Sequence, residues 1–519
     1  MRKMPIKLLA VALSLVFVMA FLPVSFASGG TEITSPYDSI DWDEVRQYKT
    51  ALHQHTNASD GDYTMAQMLS RNYQTGYEIV ASTDHGIVNY SWDYDSGSEA
   101  VKAVLELFGK SEGDLEYLDA EGTLDILGGE GNGEVIDTVA YTLETTASGD
   151  ILSFEDGTTI LRIPDACEQN ALSNNAHVNS WFSDYTRLDL TTYEDAIAGV
   201  KTKGGLCVIN HPGEYTKAKD EFRSSDAYNL GLSNYKYFLN YYSTLISENY
   251  GTCLGIDMNS KGDSRTRFDR KLWDELLERF SANGQTVYGI ASSDAHNLGV
   301  VDTGCVYLLL EEKSIGAVKE ALANGAFFPS STCIGNKDEL EAYIQILGED
   351  SDLAASFQKT VDAMDEKIEL ITSDLSHSDD SLGIEWTSLD ANGLATADRP
   401  MITKVTVSGS TITLDVENAE GVRWVSGFET VGAGNAFDVS TLDGQNYVRA
   451  EVVGEGGVTY TEPFIINASA NAGSTDVTDG SYTGSYRFID SFFSPIVNFF
   501  RSLLRKVSII LKSLVGKVA

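Results

Sequence analysis

The pattern of apolar and polar residues differs between two parts of this chain. From about residue 42 to residue 332, short continuous apolar runs are separated by segments with helical spacing. Continuous apolar runs are typical of strands buried on both faces, as in a parallel sheet. The clearest runs are 78–82, 205–210, 251–256 and 286–291, and the clearest helical segments are 268–281 and 314–324. This alternation predicts an α/β domain of parallel type.

The second pattern, an alternation of apolar and polar residues with a period of two, begins near residue 400. Apolar and polar residues alternate within 404–407, 411–414, 447–452 and 458–461, and glycine-containing turns separate these segments. Alternation with a period of two is typical of strands with one buried face. The pattern predicts a small antiparallel, β-sandwich-like module over 400–467.

Two other stretches interrupt the α/β pattern. Residues from about 92 to 163 are rich in Gly and Asp with hairpin-like pieces, so we interpret them as an insertion. Residues 336–399 hold 16 acidic against 4 basic residues and carry one helical pattern between 340 and 371. We interpret this second stretch as an acidic helical link between the α/β domain and the β module.

The N-terminus has the features of a secretory signal peptide. Arg2, Lys3 and Lys7 flank the start of an apolar run over 8–22, and the small residues Ser25 and Ala27 follow it. A membrane anchor is the alternative, but the run is shorter than the ~20 residues needed to span a bilayer. We therefore expect cleavage after residue 27 and a secreted or extracytoplasmic protein.

The C-terminal segment 486–519 is cationic, unlike the rest of the chain. It follows a small-residue linker over 468–485 and contains six Lys or Arg residues against one acid, Asp490. Its apolar residues recur at steps of three and four, which predicts a helix with one wide apolar face. Such a helix is expected to lie on an anionic membrane surface. The alternative is a helix packed back on the protein's own acidic body.

Composition narrows the classes of function. The 519 residues include 37 Lys plus Arg and 76 Asp plus Glu, which gives a formal charge of −39. A surface this negative repels phosphate backbones, so we expect no nucleic-acid partner. A cation-loaded cleft can still accept one phosphate group, which favours a small phosphorylated substrate. The five cysteines lack CxxC spacing and are too scattered for a disulfide scaffold.

Six of the seven histidines stand in contexts typical of metal ligands. His53 and His55 are two residues apart, so in an extended strand both imidazoles point to the same side. His85, His211 and His296 each follow an apolar run. A single such residue is usually a surface turn or a structural histidine. Since strand ends converge at one mouth of a parallel α/β barrel, the repeated pattern predicts a polynuclear metal site there.

The ordered motifs resemble those of the polymerase and histidinol phosphatase (PHP) superfamily. That family's pattern is HxH with SDG, TDH, a glutamate before a further His, HP, and SDxH. The corresponding residues here are His53 and His55 with Asp60, Asp84 and His85, His177, His211 with Pro212, and Asp294 with His296. The resemblance spans about 51–326. It implies a distorted (β/α)7 barrel over 28–335, two or three divalent ions such as Zn, Mn or Fe, and cleavage of phosphate esters.

The family's barrel glutamate has two candidates. Glu168 lies 9 residues before His177, which is similar to the spacing in the family, and Glu130 lies 47 residues before it in a glycine-rich setting. We expect Glu168, with Glu130 as the alternative. The family's Pro-Gly-x-Glu turn is one residue longer here and lacks the glycine, since Pro164 precedes Glu168 by four positions.

The expected mechanism uses the metal cluster itself. Ions that share a water lower its pKa, so that a bridging hydroxide attacks phosphorus in line. Glu168 would bridge two ions, while His53, His55 and Asp294 would complete the first. Lys261 and Arg265, with Arg267 nearby, are candidates to hold the phosphate, although a solvated loop is the simpler interpretation of that segment.

Two other functions are compatible with the sequence. A bridging hydroxide also attacks a carbonyl carbon, so an amidohydrolase-type enzyme of the cell envelope is chemically allowed. A non-catalytic surface binding protein is the other alternative, but a decayed site would have lost some of its ligands. His377, in the acidic link, lies outside every motif and is expected to have no catalytic role.

Overall fold

The computed structural model describes most of the chain between residues 32 and 466. The described residues are 32–56, 59, 61–86, 88, 92, 138–171, 176–186, 192–213, 233–263, 266–373 and 382–466. Outside them lie the predicted signal peptide 1–27, the linker 468–485, the tail 486–519, and the single residues Asp60, Glu130, Arg265 and His377. Within the described residues, no helix has both the length and the apolar character needed to cross a bilayer.

Strands dominate the described part of the chain. In the first half they are β1 (Ile33–Thr34), β2 (Arg46–Ala51), β3 (Ile79–Val80), β4 (Tyr141–Thr146), β5 (Gly149–Phe154), β6 (Thr159–Arg162), β7 (Cys167–Ala171), β8 (Ala176–Trp181), β9 (Leu206–Ile209), β10 (Cys253–Asn259) and β11 (Tyr288–Ala291). The later strands are β12 (Gly304–Leu310), β13 (Phe327–Ser331), β14 (Cys333–Ile334), β15 (Trp386–Thr387), β16 (Met401–Ser408), β17 (Thr411–Glu417), β18 (Gly421–Ser426), β19 (Glu429–Ala433), β20 (Ala436–Asp438), β21 (Tyr447–Gly454), β22 (Gly457–Tyr460) and β23 (Phe464–Ile466).

Helices lie between the strands, as the apolar pattern predicted. They are α1 (Met65–Gln74), α2 (Tyr193–Thr202), α3 (Ser233–Glu248), α4 (Asp269–Ser281), α5 (Ile315–Asn324), α6 (Lys337–Leu347) and α7 (Asp352–Ser373). Local sequence fixes several ends. At α5, the Ser314 hydroxyl accepts a hydrogen bond from the Ala317 amide, and Gly325 ends the helix with a φ of 71°. The predicted helical segments 268–281 and 314–324 correspond to α4 and α5.

A five-stranded sheet carries most of the candidate site. Its order is β11-β10-β9-β8-β7. Strands β9, β10 and β11 are parallel, whereas β7 and β8 are antiparallel to their neighbours. The expected all-parallel sheet is therefore wrong in this part, because the four residues 172–175 between β7 and β8 are too few for a crossover connection.

A thirteen-stranded sheet includes the rest of the α/β domain. Strands β2 and β3 are parallel, and β6 is parallel to β3. Strand β6 comes from the end of the predicted insertion 92–163, so that boundary differs from the prediction. The described pairings confirm an α/β fold and do not form a closed barrel. Two single-residue bridges, Gln54 with Ala295 and His85 with Glu168, connect the two sheets.

The predicted C-terminal module is not a separate body. Its antiparallel strands form as expected, but β18, β19, β21, β22 and β23 belong to the thirteen-stranded sheet. Strand β22 pairs with β13 through Ser330 opposite Thr459 and Ser331 opposite Val458. This pairing satisfies the backbone groups of β13, which would otherwise be an exposed sheet edge. The remaining described strands of the module, β16, β17 and β20, form a three-stranded sheet of their own.

Buried ion pairs tie the C-terminal strands to helix α4. The Arg449 guanidinium donates to both carboxylate oxygens of Asp274 at 2.9 and 2.6 Å. It also contacts Glu451 at 2.6 Å, and Arg423 contacts the same carboxylate at 2.9 Å. Burial alone raises the pKa of Glu451, but Arg423 and Arg449 more than reverse this and bring it to about 2. All four side chains are buried, so each charge depends on its partner.

Replacing Arg449 by Met should destabilise the protein strongly. The substitution leaves Asp274 as an uncompensated buried charge, which costs about 3–5 kcal/mol in the free energy of unfolding. Urea denaturation followed by circular dichroism measures this loss. The matched control is Arg46→Met, since Arg46 is exposed and its ion pair with Glu78 is long at 3.7 Å. Equal loss in both variants would contradict the role given to the buried pair.

Candidate metal centre

The two histidines of the HxH motif leave strand β2 on the same side. The chain is extended beyond Ala51, and the intervening Gln54 forms the bridge to Ala295. The His55 amide donates to the Ala295 carbonyl at 2.8 Å, which fixes the backbone at this point. As a result the Nε2 atoms of His53 and His55 lie 3.2 Å apart, and both residues are buried.

Glu168 lies at the centre of the cluster, with one oxygen facing each half. Its Oε2 atom is 3.5 Å from His53 Nε2, 3.1 Å from His55 Nε2 and 3.2 Å from His85 Nδ1. Glu168 is the second residue of β7, and its backbone bridge to His85 brings the carboxylate to the end of β3. It is 1% exposed.

The other oxygen of Glu168 faces strands β8 and β9. Oε1 is 3.1 Å from His177 Nδ1 and 3.3 Å from His211 Nε2. The side-chain Nδ2 atom of Asn210 donates to the same oxygen at 2.6 Å. His177 is the second residue of β8, which runs antiparallel to β9, so the start of one strand lies beside the end of the other.

Asp294 is the second buried carboxylate of the site. Its Oδ1 atom is 3.0 Å from His53 Nε2 and 3.2 Å from His55 Nε2. Its Oδ2 atom is 2.5 Å from the Lys261 ammonium. The ring of His296 lies 4.3 Å from the ring of His55, and its Nδ1 atom is 2.8 Å from the Asp294 carbonyl oxygen. Asp294 has a φ of 47°, a strained conformation of the kind that is common at functional sites.

Both carboxylates are held in the ionised form. Burial by itself raises the pKa of Glu168, but His177, His53 and His85 outweigh it and place the pKa well below the usual value. Burial likewise opposes ionisation of Asp294, and His53, Lys261 and His296 reverse its effect on that pKa. Burial lowers the pKa of His53, yet Asp294 and Glu168 raise it well above its ordinary value. The two carboxylates are thus stabilised as anions by the histidines and by Lys261.

The donor atoms fit divalent metal ions. The described residues include three overlapping groups of donors, and the donor atoms of each group lie within 4.8 Å of one another: His53, His55, Glu168 and Asp294; His85, Glu168 and His177; and His55, His85 and His296. Imidazole nitrogens combined with carboxylate oxygens suit Zn, Mn and Fe. Because Glu168 belongs to two of the groups and has two oxygens, it is placed to serve more than one ion.

The structure thus brings together most of the residues that the sequence predicted. They are His53, His55, His85, Glu168, His177, His211, Asp294, His296 and Lys261. Asp60, Arg265 and the alternative Glu130 lie outside the described residues. Arg267 is buried, with its guanidinium carbon 5.7 Å from the centre of the Phe268 ring.

Asp84, the acid of the TDH motif, has a supporting role. Its carboxylate accepts hydrogen bonds from the Thr56 amide at 2.7 Å and from the hydroxyls of Ser59 and Ser82 at 2.8 Å. These contacts hold the loop that follows His55. The Ser59 hydroxyl in turn lies 3.3 Å from His55 Nδ1. Asp84 is therefore connected to the His55 ring through Ser59.

Sequence reasoning missed Asp257, which lies behind His53. Its Oδ2 atom is 3.7 Å from His53 Nδ1 and accepts a short hydrogen bond from the Ser292 hydroxyl. A carboxylate behind a ligating histidine orients the ring and makes its other nitrogen a better ligand. The sequence signal for Asp257 is an acidic residue placed directly after the apolar run 251–256. Acidic residues are rarely buried without a partner, and the strand that contains Asp257 is buried along its length.

Comparisons with known proteins give one local match in sequence. No family model matches the chain. A stretch of 69 residues, 13% of this chain, is 33% identical to the DNA polymerase/3'-5' exonuclease PolX of Bacillus subtilis (strain 168). The match covers 12% of that relative.

Three solved structures are similar over larger parts of the chain. A two-domain protein from Bacteroides vulgatus ATCC 8482, described as containing a predicted PHP-like metal-dependent phosphoesterase, is 14% identical with a TM-score of 0.33, and 84% of this chain and 90% of that one are covered. PsfC from Pseudomonas syringae PB-5123 is 13% identical with a TM-score of 0.29, covering 53% and 88%. The lesion-specific endonuclease PfuEndoQ from Pyrococcus furiosus is 10% identical with a TM-score of 0.28, covering 54% and 56%. All three TM-scores are below the level that marks a shared overall fold.

The full chain should bind at least two divalent ions. The three donor groups overlap, since Glu168, His55 and His85 each belong to two of them. More than one ion is needed to occupy all three groups. Elemental analysis after supplementation with Mn, Zn and Fe measures the metal content per chain. Less than one equivalent would contradict the assignment of the cluster as a metal centre.

Asp257→Asn should weaken metal binding without unfolding the protein. Loss of a carboxylate behind a ligating histidine typically lowers metal affinity by about 10–100-fold. Titration of the metal-free protein with a competing chelator measures the affinity. The matched control is Asp195→Asn, because Asp195 is exposed on α2. An unchanged affinity in Asp257→Asn would show that Asp257 does not orient His53.

Proposed function

We propose that this chain is a metal-dependent phosphoesterase. The observation that carries the proposal is the convergence of two buried carboxylates, Glu168 and Asp294, with histidine nitrogens from several strand ends. Buried carboxylate charges are stable only with cations beside them. The order of the motifs, which resembles that of the PHP superfamily, supports the same chemistry.

The strand ends support the barrel that the resemblance implies. Strands β2 and β3 are paired, β7 to β11 are paired in series, and the bridges His85–Glu168 and Gln54–Ala295 connect these two sets. These seven strands supply the donor atoms, and in the described part of the chain only single-residue bridges connect the two sets. We propose that this arrangement of seven strands is the counterpart of a distorted (β/α)7 barrel.

The protein residues would hold the ions and set their charge. Bound divalent ions supply Lewis acidity toward phosphoryl oxygens and a hydroxide near neutral pH. Glu168 would present one oxygen to each half of the site, and Asp294 would contribute Oδ1 beside His53 and His55. Asp257 and Asn210 would keep His53 and Glu168 in place.

Lys261 would bind the substrate's phosphate group. Its ammonium already lies at the site, 2.5 Å from Asp294 Oδ2. Lys261, Gly262 and Asp263 have φ values of 54°, 64° and 68°, so three successive residues are left-handed. Asp263 holds this strained loop through two hydrogen bonds from Arg270, at 2.9 and 2.7 Å. The ammonium is therefore presented from a fixed position, as recognition of an anion requires.

Substrate size and location are further parts of the proposal. The charge of −39 favours a small phosphorylated substrate over nucleic acid. PolX and PfuEndoQ are, by their names, an exonuclease and an endonuclease, so an oligonucleotide belongs in the assay. Secretion through residues 1–27 also stays a prediction.

His53→Ala and Asp294→Ala should each lower hydrolysis of an aryl phosphate by about 100-fold or more. Both residues face the same donor group, so each loss removes a ligand of the reacting centre. Steady-state rates with Mn, Zn or Fe supplied give the measurement. Parallel assays with aryl esters, amides and an oligonucleotide distinguish the phosphoesterase from an amidohydrolase and from a nuclease.

The matched control is His377→Ala, which should keep wild-type activity. His377 lies outside every motif, in the acidic link. If His377→Ala were as damaging as His53→Ala, the assignment of the motifs would be wrong. If wild-type protein cleaved the carboxylic ester and not the phosphate ester, the proposed bond specificity would be wrong while the metal site would stand.

A further inference from the structure

A groove lies between the N-terminal segment, the end of β12 and helix α5. Its volume is about 520 Å³, within the range of sites that hold small ligands. Apolar side chains form part of its lining, among them Ile40, Val45, Leu310 and Ala317. Ile40, Val45 and Ala317 remain partly exposed there. We call this feature the acidic groove because of its rim.

The charged residues described at the rim of the acidic groove are all acidic. Asp41, Glu311, Glu312 and Glu320 line it and are exposed, and none of the lining residues that the structure describes is Lys, Arg or His. The two lysines of the neighbouring segment are directed to other partners. Lys313 donates to the Thr159 carbonyl at 2.9 Å, and Lys319 donates to the Gly204 carbonyl at 2.7 Å.

The acidic groove is remote from the metal centre. Leu310 pairs with Arg46 at the start of β2, whereas His53 and His55 follow the other end of that strand. Six residues of extended chain separate the two ends by about 20 Å. An occupant of the groove would therefore leave the metal centre accessible.

The described chain ends close to this groove. Ile466, the last described residue, pairs with Ile33 at the edge of the large sheet. The Phe464 ring lies 5.9 Å from the ring of Tyr37, which is two residues before the first lining residue, Ser39. The segment 467–485 has a root-mean-square span of about 25 Å if it behaves as a flexible linker. Residues 486–519 can thus reach the groove without strain.

We propose that the acidic groove binds the cationic tail 486–519 of the same chain. The tail offers six Lys or Arg residues and a row of apolar residues at helical spacing, which complements a groove with acidic rim and apolar lining. Tethering adds an effective concentration in the millimolar range, so even weak contacts populate the bound form. The bilayer expected from the sequence would then compete with the groove for the same tail.

Charge reversal on the rim tests this proposal in the full chain. The double variant Glu311→Lys/Glu320→Lys should release the tail. Trypsin should then cut after Arg505 and Lys506 about tenfold faster than in the wild type, the increase expected if nine-tenths of wild-type tails are bound. The matched control Glu349→Lys/Glu366→Lys makes the same charge change at exposed sites away from the groove and should stay at the wild-type rate. Neither pair touches the metal centre, so activity should be unchanged in both.

Two further measurements complete the test. Carbodiimide coupling of the wild-type chain should join a lysine of 506–517 to Glu311, Glu312 or Glu320. Sedimentation with phosphatidylserine vesicles should show tighter binding by the rim variant than by its control, since the groove no longer competes. Equal proteolysis of the two variants, absence of these cross-links, or equal vesicle binding would overturn the proposal, and the last result would leave a bilayer as the tail's partner.

Discussion

The need to neutralise two buried carboxylates organises the candidate site. Glu168 and Asp294 are buried, and burial alone would raise the pKa of both and favour their neutral forms. Histidines at the ends of β2, β3, β9 and β11 surround them, with His177 at the start of β8. This convergence depends on the order of these strands, on the two bridges between the sheets and on the strained backbone at Asp294.

The candidate ligands with a characteristic local spacing were predictable from the sequence, whereas the residues that hold those ligands in place were not. His53 and His55 were predicted because two-residue spacing in an extended chain has a local geometric meaning. Glu168 could be placed relative to His177 by spacing alone. Asp257, Asn210 and the structural role of Asp84 depend on contacts between distant segments, which spacing does not reveal. The antiparallel pairing of β22 with β13 likewise joins segments that are distant in sequence.

The C-terminal strands contribute to the α/β domain through helix α4. Arg449 of β21 donates to Asp274 in the middle of this helix and to Glu451 in its own strand. The same helix carries Arg270, which holds Asp263 and donates to Glu339 of the acidic link at 2.7 Å. A chain of buried charges therefore extends from the C-terminal strands to the loop that presents Lys261. The β module supports the site and is part of the same folded body.

Anomalous X-ray scattering from crystals of the full chain grown with Mn or Zn tests the central claim most directly. The account predicts at least two anomalous peaks between Glu168 and Asp294. Each peak should lie about 2.0–2.3 Å from carboxylate oxygens and imidazole nitrogens. Crystals that hold the metal only at the acidic surface, with no peak among these residues, would contradict it.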